Sequence, residues 1–267
     1  YALAEFNPFT FIALRFLLAS AALVPFCWAE LRALKQQEFF RSALTGLVFG
    51  GGLLLWVHGL KVTSNVGVAA FIISLNVVVV PVVSRVLFGH KITPGLLLAL
   101  LPALVGLALL SLDTGFSMEG TQLLFLVAMV AFSFHLALTS HYVHEVAPIP
   151  LSVIQLAVAG LIGAIAALAF EDPLLEVSSF AWLCLVASAL FATSLRFMIQ
   201  TGALQKVTAS HASMIFLAEP VWTAVLALTI LKEQVTLLQA LGCGLILLAL
   251  LAYRTAILRR WLRYWRA

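Results

Sequence analysis

Long apolar runs recur along the whole chain, and they constrain its fold more than any other feature. Each run holds about 18 residues or more with almost no charge, which is enough for an α-helix to cross the hydrocarbon core of a bilayer. Only 10% of the 267 residues are charged, whereas a soluble domain carries about a quarter. The sequence therefore predicts an all-α, polytopic membrane protein, a helix bundle in contact with the lipid bilayer.

Nine of these runs are predicted to span the membrane. Short loops join them, so neighbours along the chain are expected to be antiparallel and adjacent. Pro8, Pro94 and Pro173 lie at or near predicted boundaries, where a proline costs little. The predicted spans are 9–28, 42–60, 66–88, 94–112, 120–141, 150–170, 179–200, 209–231 and 236–253.

Basic residues fall almost entirely on one side of these spans, and acidic loop residues fall on the other. The positive-inside rule places the basic side in the cytoplasm. We therefore expect a multi-pass protein of the cell inner (plasma) membrane with a cytoplasmic C-terminus. The basic tail contains Trp261, Tyr264 and Trp265, which suits a membrane surface, and no nucleic-acid partner is expected. The predicted cytoplasmic cations are Arg32, Lys35, Arg41, Arg85, Lys91, Lys206, Arg254, Arg259, Arg260, Arg263 and Arg266, and the predicted external acids are Asp113, Glu119, Glu171, Asp172 and Glu176.

The chain contains an internal repeat. Residues 59–93 and residues 203–236 both hold a short polar segment, an apolar helix and a charged turn, and each is followed by a second apolar helix. Duplication within a membrane protein is typical of carriers, because two similar halves can rock around a shared site. The predicted organisation is a first repeat over 1–115, a second repeat over 116–256 and a basic cytoplasmic tail over 257–267.

The two copies are unequal in helix number. Span 120–141 opens the second copy, and its counterpart should precede residue 9, where the sequence has too few residues for another helix. The sequence also begins with Tyr1 rather than Met. We expect a first helix upstream of this sequence, so that each repeat holds five helices. Because five is odd, the two repeats should have inverted topology.

Two groups of motifs resemble the EamA-type transporters of the drug/metabolite superfamily. Leu217–Trp222, Leu231–Glu233 and Gln239–Leu247 are similar to the end of that family's second repeat, and Asn7-Pro8 with Ala13–Ala19 is similar to its second helix. The resemblance covers essentially the whole chain. It implies ten helices in two inverted five-helix repeats and the export of small metabolites or amino acids.

Three positions depart from that family's pattern. Asn76-Val77 stands where the second repeat has Glu219-Pro220, and Pro81 lies nearer the end of its helix. His90 replaces a common glutamate that would match Glu233. Arg196 occupies a position that is usually apolar or aromatic.

Glu219 and Pro220 are the first candidates for substrate binding or gating. A carboxylate inside a span is costly unless it is paired or faces water, so it is a functional candidate by default. Pro220 removes a backbone hydrogen bond and permits a kink. Glu219 either contacts a substrate amine, relays a proton or gates the pathway, or it bonds a neighbouring helix and fixes packing.

Two arginines also lie within predicted spans. Arg15 is interpreted as a structural charge, which extends to the membrane surface or bonds carbonyls at a helix end. Arg196 is a candidate for substrate binding, with extension to the cytoplasmic surface or pairing with Glu219 as alternatives. Further candidates for substrate binding or gating are Trp56, His58, Asn76, His135, Gln155 and Gln200, each of which a helix–helix contact or a place at the membrane interface would also explain.

The sequence predicts a secondary transporter that exports small metabolites or amino acids by alternating access, with or without proton exchange. A channel-like facilitator and a non-transporting membrane scaffold are the alternatives. An enzyme is not expected, because no Gly-x-Ser-x-Gly or His-Glu-x-x-His motif occurs. No cofactor or metal is expected, and the protein is predicted to be a monomer or a homodimer.

Gly46, Gly50 and Gly242 predict close contacts between helices, with a hinge at 50–52 as the alternative.

Overall fold

A computed structural model describes residues 5–63, 66–111, 120–172, 177–231 and 236–265, without the side chains of 111, 227, 231 and 254–265. Several sequence predictions lie outside these residues. They are the charged turn at 232–235, the acidic residues Asp113, Glu119 and Glu176, and the side chains of the tail arginines.

Every regular element in the described residues is helical. A 3₁₀ turn, Val24–Phe26, follows the first helix, and π-helical segments at Ser188–Leu195 and Ala227–Leu231 interrupt or extend two others. The helices are α1 (Pro8–Leu23), α2 (Trp28–Ala33), α3 (Gln36–Val62), α4 (Val66–Ser74), α5 (Asn76–Phe88), α6 (Pro94–Ser111), α7 (Gln122–Tyr142), α8 (Pro148–Phe170), α9 (Ser179–Ala187), α10 (Arg196–Leu204), α11 (Ala209–Phe216), α12 (Ala218–Leu226) and α13 (Leu237–Trp265).

All nine predicted spans are helical in the described part of the chain. Seven helical segments are long and apolar enough to cross a membrane, and two shorter apolar helices, Pro94–Leu110 and Leu237–Tyr253, occupy the remaining predicted spans. The prediction of an all-α polytopic membrane protein is confirmed. Proline occupies the first turn of α1 and of α8, where its missing N–H costs no helical hydrogen bond.

Helix boundaries differ from the predictions where polar residues extend a span. Helix α3 begins at Gln36 rather than at residue 42. Its first turns contain the polar residues Gln36, Gln37, Glu38 and Arg41. Helix α13 continues to Trp265, past the predicted end at 253. The short helix α2 was predicted as a loop. Apolar run length reports only the part of a helix that fits the hydrocarbon core.

Two spans are interrupted by one residue, at positions that differ by one when Asn76 is aligned with Glu219. Leu75 separates α4 from α5, and Leu217 separates α11 from α12. The Leu75 N–H donates to Ile72 O at 3.1 Å and to Phe71 O at 3.2 Å, and the Leu217 N–H donates to Met214 O at 3.2 Å. The bonds to Ile72 and Met214 are the tighter i→i−3 bonds of a 3₁₀ turn, which often marks a hinge in a helix.

The chain divides into two compact units that do not coincide with the sequence repeats. Unit 1 comprises Tyr1–Lys61 and Val130–Thr208, and unit 2 comprises Val62–Met129 and Ala209–Ala267. Each unit therefore combines helices from both halves of the chain.

In unit 1, α1 packs against α8 at positions where glycine admits the neighbouring backbone. A Cβ on Gly160 would lie 2.9 Å from the Leu17 nitrogen, and one on Gly163 would lie 3.1 Å from the Ala13 nitrogen. Helix α3 approaches α8 in the same way, because a Cβ on Gly46 would lie 2.7 Å from Gln155 O. The predicted close contact at Gly46 is confirmed. Around these contacts lies an apolar core that includes Ile12, Phe16, Leu53, Leu156, Ala159 and Phe197.

In unit 2, α6 and α13 meet through a pair of glycines. A Cβ on Gly242 would lie 2.6 Å from Gly106 O, and one on Gly106 would lie 2.7 Å from Gly242 O. The predicted close contact at Gly242 is confirmed. The surrounding core is apolar and includes Val77, Leu96, Leu107, Met214, Leu217 and Ile246.

Candidate functional site

A network of buried polar side chains lies at the centre of unit 1. Gln155, on α8, has 0% of its surface exposed and is the residue that the others surround. Its Oε1 accepts a hydrogen bond from His135 Nε2 on α7 at 3.0 Å. The hydroxyls of Thr45 on α3 and Thr139 on α7 approach the same oxygen at 3.4 and 3.5 Å, so their bonds to it are weaker.

A second branch of the network reaches α10. Thr201 Oγ1 accepts from Ser152 Oγ at 3.0 Å and from Gln155 Nε2 at 3.5 Å. Thr45 is also fixed by its own helix, since its hydroxyl donates to Ser42 O at 2.7 Å. The network therefore joins α3, α7, α8 and α10. The hydrocarbon core offers no water to these polar groups, so they bond one another. These bonds hold the four helices in one register.

Aromatic side chains cover one side of this network. The Phe49 ring lies 4.7 Å from the His135 ring and 5.3 Å from the Phe197 ring, between centroids. Phe16 and Phe132 extend the cluster at 5.6 and 5.9 Å from Phe49. These contacts separate the imidazole from lipid and fix its orientation.

His135 and Gln155 were predicted as separate candidates, and the structure bonds them to each other. The sequence analysis missed Thr45, Thr139, Ser152 and Thr201. A signal was present, because polar residues recur three or four positions apart on each helix and so share a face. The pairs are Ser42 with Thr45, His135 with Thr139, and Ser152 with Gln155.

Arg15 lies in the middle of α1 and contacts the π-helical segment between α9 and α10. Its Nε donates to Thr193 Oγ1 at 2.7 Å. Thr193 in turn donates to Ser188 O at 3.2 Å, within a segment whose widened turns free carbonyls for such bonds. The guanidinium lies 5.9 Å from the Phe11 ring and 6.0 Å from the Phe16 ring. Arg15 is thus bound inside the unit rather than extended to a helix end.

The other candidates in unit 1 have varied surroundings. Trp56 is partly buried and packs on the apolar core, whereas His58 is exposed on α3. Arg196 begins α10 and is exposed, and Gln200 is half-buried one turn later. Among the predicted site residues of this unit, a hydrogen bond joins His135 and Gln155 directly.

The remaining candidates lie beside the two helix interruptions of unit 2. Asn76 is the first residue of α5 and is half-buried. Glu219 and Pro220 lie in the first turn of α12, where Glu219 is exposed and Thr223 donates its hydroxyl to Glu219 O at 3.0 Å. A carboxylate in a first helical turn is stabilised by the positive end of the helix dipole. Helix α11 packs against α5, so the two interrupted spans are in contact.

Charged side chains connect the ends of neighbouring helices in unit 1. The Glu171 carboxylate, only 3% exposed, accepts from the N–H groups of Phe9 and Thr10 at 2.7 and 2.8 Å and caps α1. Lys61 Nζ lies 3.7 Å from the same carboxylate. At the other end, Arg41 pairs with Glu145.

Glu5 plays a similar role for α9. Its carboxylate accepts from the Ser178 N–H at 2.7 Å and from the Ser178 hydroxyl at 2.8 Å. These bonds, the backbone one first, lower the pKa of Glu5 from its ordinary value. The described residues contain no group of three or more His, Cys, Asp or Glu side chains that could hold a metal ion.

The EamA-like transporter family matches the chain over residues 1–112 and again over 120–255. The chain belongs to this family. The two matches correspond to the two halves in which the sequence repeat was found, and the family consists of membrane transporters.

Two curated proteins are similar over nearly the whole chain. An uncharacterized transporter of Archaeoglobus fulgidus is 29% identical over 250 residues, which cover 94% of this chain and 78% of that protein. The uncharacterized transporter YyaM of Bacillus subtilis is 23% identical over 266 residues, covering 94% of this chain and 86% of that protein. Neither name specifies a substrate.

A solved structure titled "Crystal structure of protein" has a similar fold. The TM-score is 0.82 at 19% identity, and the match covers 97% of this chain and 91% of that one. At this identity the likeness concerns the fold alone. It supports the two-repeat helical architecture of the family.

Proposed function

We propose that this protein is a secondary transporter that exports a small metabolite or amino acid across the cell inner membrane by alternating access. The observation that carries the proposal is the match of a transporter family to both halves of the chain. Two similar halves can exchange conformations, which opens one site to each side of the membrane in turn.

The interrupted helices support this function. Carriers built from repeats commonly bind substrate or coupling ions where a span is broken, because the break exposes backbone groups and helix ends. Here the breaks at Leu75 and Leu217 lie within one position of each other when Asn76 is aligned with Glu219. Asn76 directly follows the break at Leu75, and Glu219 lies two residues after the break at Leu217. We propose these two residues, with Pro220, as substrate-binding or gating positions.

Glu219 is the proposed proton carrier if export is coupled to proton entry. It is an acidic residue in the first turn after a helix break, and a carboxylate within a span is a functional candidate by default. In this mechanism protonation would neutralise Glu219 in one state, and deprotonation would accompany substrate exchange in the other.

Reconstitution tests the proposal directly. The purified full-length protein in proteoliposomes is loaded with one compound at a time from a panel of amino acids and small metabolites, and counterflow of labelled compound is measured. A carrier gives saturable counterflow for at least one compound. Flux without counterflow would indicate a channel-like facilitator, and no flux for the whole panel would favour the scaffold.

A pair of variants tests the role of Glu219. Glu219→Gln should abolish uptake driven by a pH gradient while counterflow at equal pH persists. Glu30→Gln removes an exposed carboxylate of α2, outside the spans, and should leave both activities unchanged. Unchanged pH coupling in Glu219→Gln would remove Glu219 as the carrier.

A further inference from the structure

Helix α13 is longer than the hydrocarbon core of a bilayer. It runs from Leu237 to Trp265, 29 residues in all, which at the rise of an α-helix is about 43 Å. Its apolar part ends at Tyr253, and roughly 20 residues are enough to cross the core. The remaining residues, 254–265, which we call the tail helix, therefore begin near the level of the lipid headgroups.

The tail helix is strongly basic. No Asp or Glu occurs from Thr236 to the end of the sequence, so no acidic neighbour along the chain offsets this charge. A cluster of basic residues directly after a membrane span attracts anionic phospholipid headgroups, and each basic residue strengthens binding by about fivefold. Four arginines lie in the tail helix and a fifth follows it, namely Arg254, Arg259, Arg260, Arg263 and Arg266.

The order of residues in the tail helix separates basic from apolar positions. Residues three or four positions apart share a face of an α-helix, so Arg263 shares one face with Arg259 and Arg260. A basic face opposite an apolar face rich in Trp and Leu is typical of helices that bind at a membrane surface. The apolar face here comprises Ile257, Leu258, Trp261, Leu262 and Trp265.

We propose that the tail helix binds anionic phospholipids at the surface of the membrane, with Arg259, Arg260 and Arg263 as the phosphate-binding residues. Arginine suits this role because its planar guanidinium donates two parallel hydrogen bonds to a phosphate. Trp261 and Trp265 belong to the face that enters the membrane interface, where tryptophan is enriched. This assignment does not depend on the proposed transport function.

Two features favour a lipid over a nucleic acid, which is the other polyanion that a basic segment can bind. The tail helix continues α13 without a break, so the headgroups lie within its reach. Binding to nucleic-acid phosphates by charge needs no apolar face, whereas binding at a membrane surface requires one. Because α13 packs against α6 through Gly242 and Gly106, a bound lipid would hold the end of a helix that belongs to the core of unit 2.

Limited digestion with trypsin tests the site in the unaltered chain, because trypsin cleaves after arginine and lysine. The full-length protein is placed in nanodiscs of phosphatidylcholine alone, or of phosphatidylcholine and phosphatidylglycerol in equal parts. The bonds after Arg32 and Lys35, which are both exposed, are the internal control. Relative to them, cleavage after Arg259, Arg260 and Arg263 should be at least about fivefold slower in the anionic discs, and high salt should remove this protection. Equal relative rates in the two bilayers would overturn the assignment.

Variants separate the tail arginines from the overall charge of the protein. The apparent affinity for phosphatidylglycerol is measured on the full-length protein in detergent by native mass spectrometry. The triple variant Arg259→Gln, Arg260→Gln and Arg263→Gln should lose roughly a hundredfold in affinity, because three contributions of about fivefold are removed. A matched triple variant removes the same charge from exposed cations elsewhere and should keep its affinity. It consists of Arg32→Gln, Lys35→Gln and Arg85→Gln. Equal losses in the two triple variants would assign binding to net charge and overturn the site.

An exchange of two residues tests the separation of the faces. Trp261→Arg combined with Arg263→Trp keeps the net charge and the composition but places a cation on the apolar face. The affinity should fall by at least about fivefold, and an unchanged affinity would overturn the amphipathic site.

Two further ligands distinguish the lipid from other sources of phosphate. Glycerol phosphate, which lacks acyl chains, and a single-stranded oligonucleotide are measured beside phosphatidylglycerol on the unaltered protein. Both should bind more weakly than the lipid. Binding of either one as tightly as phosphatidylglycerol would overturn the assignment in favour of a free phosphate or a nucleic acid.

Discussion

In unit 1, four helices are hydrogen-bonded around Gln155, whereas in unit 2 the backbones of α6 and α13 meet at Gly106 and Gly242. The hydroxyls of Ser74, Ser213, Thr223 and Thr229 in unit 2 donate to carbonyls of their own helical spans. Hydrogen bonds between helices are directional and specify one register, while close packing depends on shape alone. Both units bring helix backbones together at glycines, and unit 1 adds the hydrogen-bonded network around Gln155.

The largest effect is expected where a side chain is added to the backbone contact of unit 2. Gly242→Ala places a Cβ 2.6 Å from Gly106 O and 2.8 Å from the Leu110 nitrogen. These backbone atoms cannot swing aside, so α6 and α13 must separate, at a cost of about 3 kcal/mol. Gly244→Ala on the same helix meets no atom within 4 Å and is the control. Equal unfolding midpoints for the two variants would show that the glycine contact does not hold unit 2 together.

A smaller loss is expected when the centre of the unit 1 network is removed. Gln155→Leu leaves His135 Nε2 without its acceptor and should lower the free energy of unfolding by about 1–2 kcal/mol. Ser74→Ala in unit 2 removes a hydroxyl that donates to Ala70 O of its own helix, and should cost less than about 0.5 kcal/mol. Unfolding by SDS titration measures both. Similar losses of unfolding free energy in the two variants would show that the bonds between helices in unit 1 contribute no more than a bond within one helix of unit 2.

The cap at the end of unit 1 should contribute about 1 kcal/mol. Glu171→Gln weakens the bonds to the Phe9 and Thr10 N–H groups and removes the charge facing Lys61. Asp172→Asn is the matched control, since Asn7 bonds the backbone oxygen of Asp172 and its side chain is exposed. A thermal midpoint that falls equally in both variants would assign the effect to the loop rather than to the cap.

The smallest effect concerns pH and Glu5. Because the folded pKa of Glu5 lies below its ordinary value of 4.5, its contribution to stability is complete above pH 4.5 and is lost as the pH falls through the lowered pKa. Glu5→Gln should therefore lower the free energy of unfolding slightly at neutral pH and leave it unchanged below the lowered pKa, which flattens the acid end of the profile. Profiles that coincide down to the acid limit would show that the contact with Ser178 does not stabilise α9.

Most of the fold was predictable because the signal is local. A span needs only enough consecutive apolar residues, so all nine predicted spans were found, with errors where polar turns extend a helix. The interruptions at Leu75 and Leu217 were not predicted, because no proline or glycine occupies either position. Pro220 indicated a kink, and the observed break lies three residues before it.

The candidate site was only partly predictable. His135, Gln155, Arg15 and Arg196 were identified by the cost of polar groups in a membrane, which follows from residue type alone. Their hydrogen-bond partners were not predictable, because these partners lie far away in the sequence. Arg15 bonds Thr193, and Gln155 contacts Thr45 on an earlier helix and Thr201 on a later one.

The sequence by itself determined the membrane class, the spans, the repeat and the family, because each of these depends on composition or on order along the chain. The tertiary structure alone decided which polar residues meet and how the repeats are divided between the two units. The physical reason lies in the helices themselves. Apart from a few polar positions, a membrane-spanning helix is apolar all around, so most of its pattern does not reveal which face packs inward, and contact with neighbouring helices fixes its rotation.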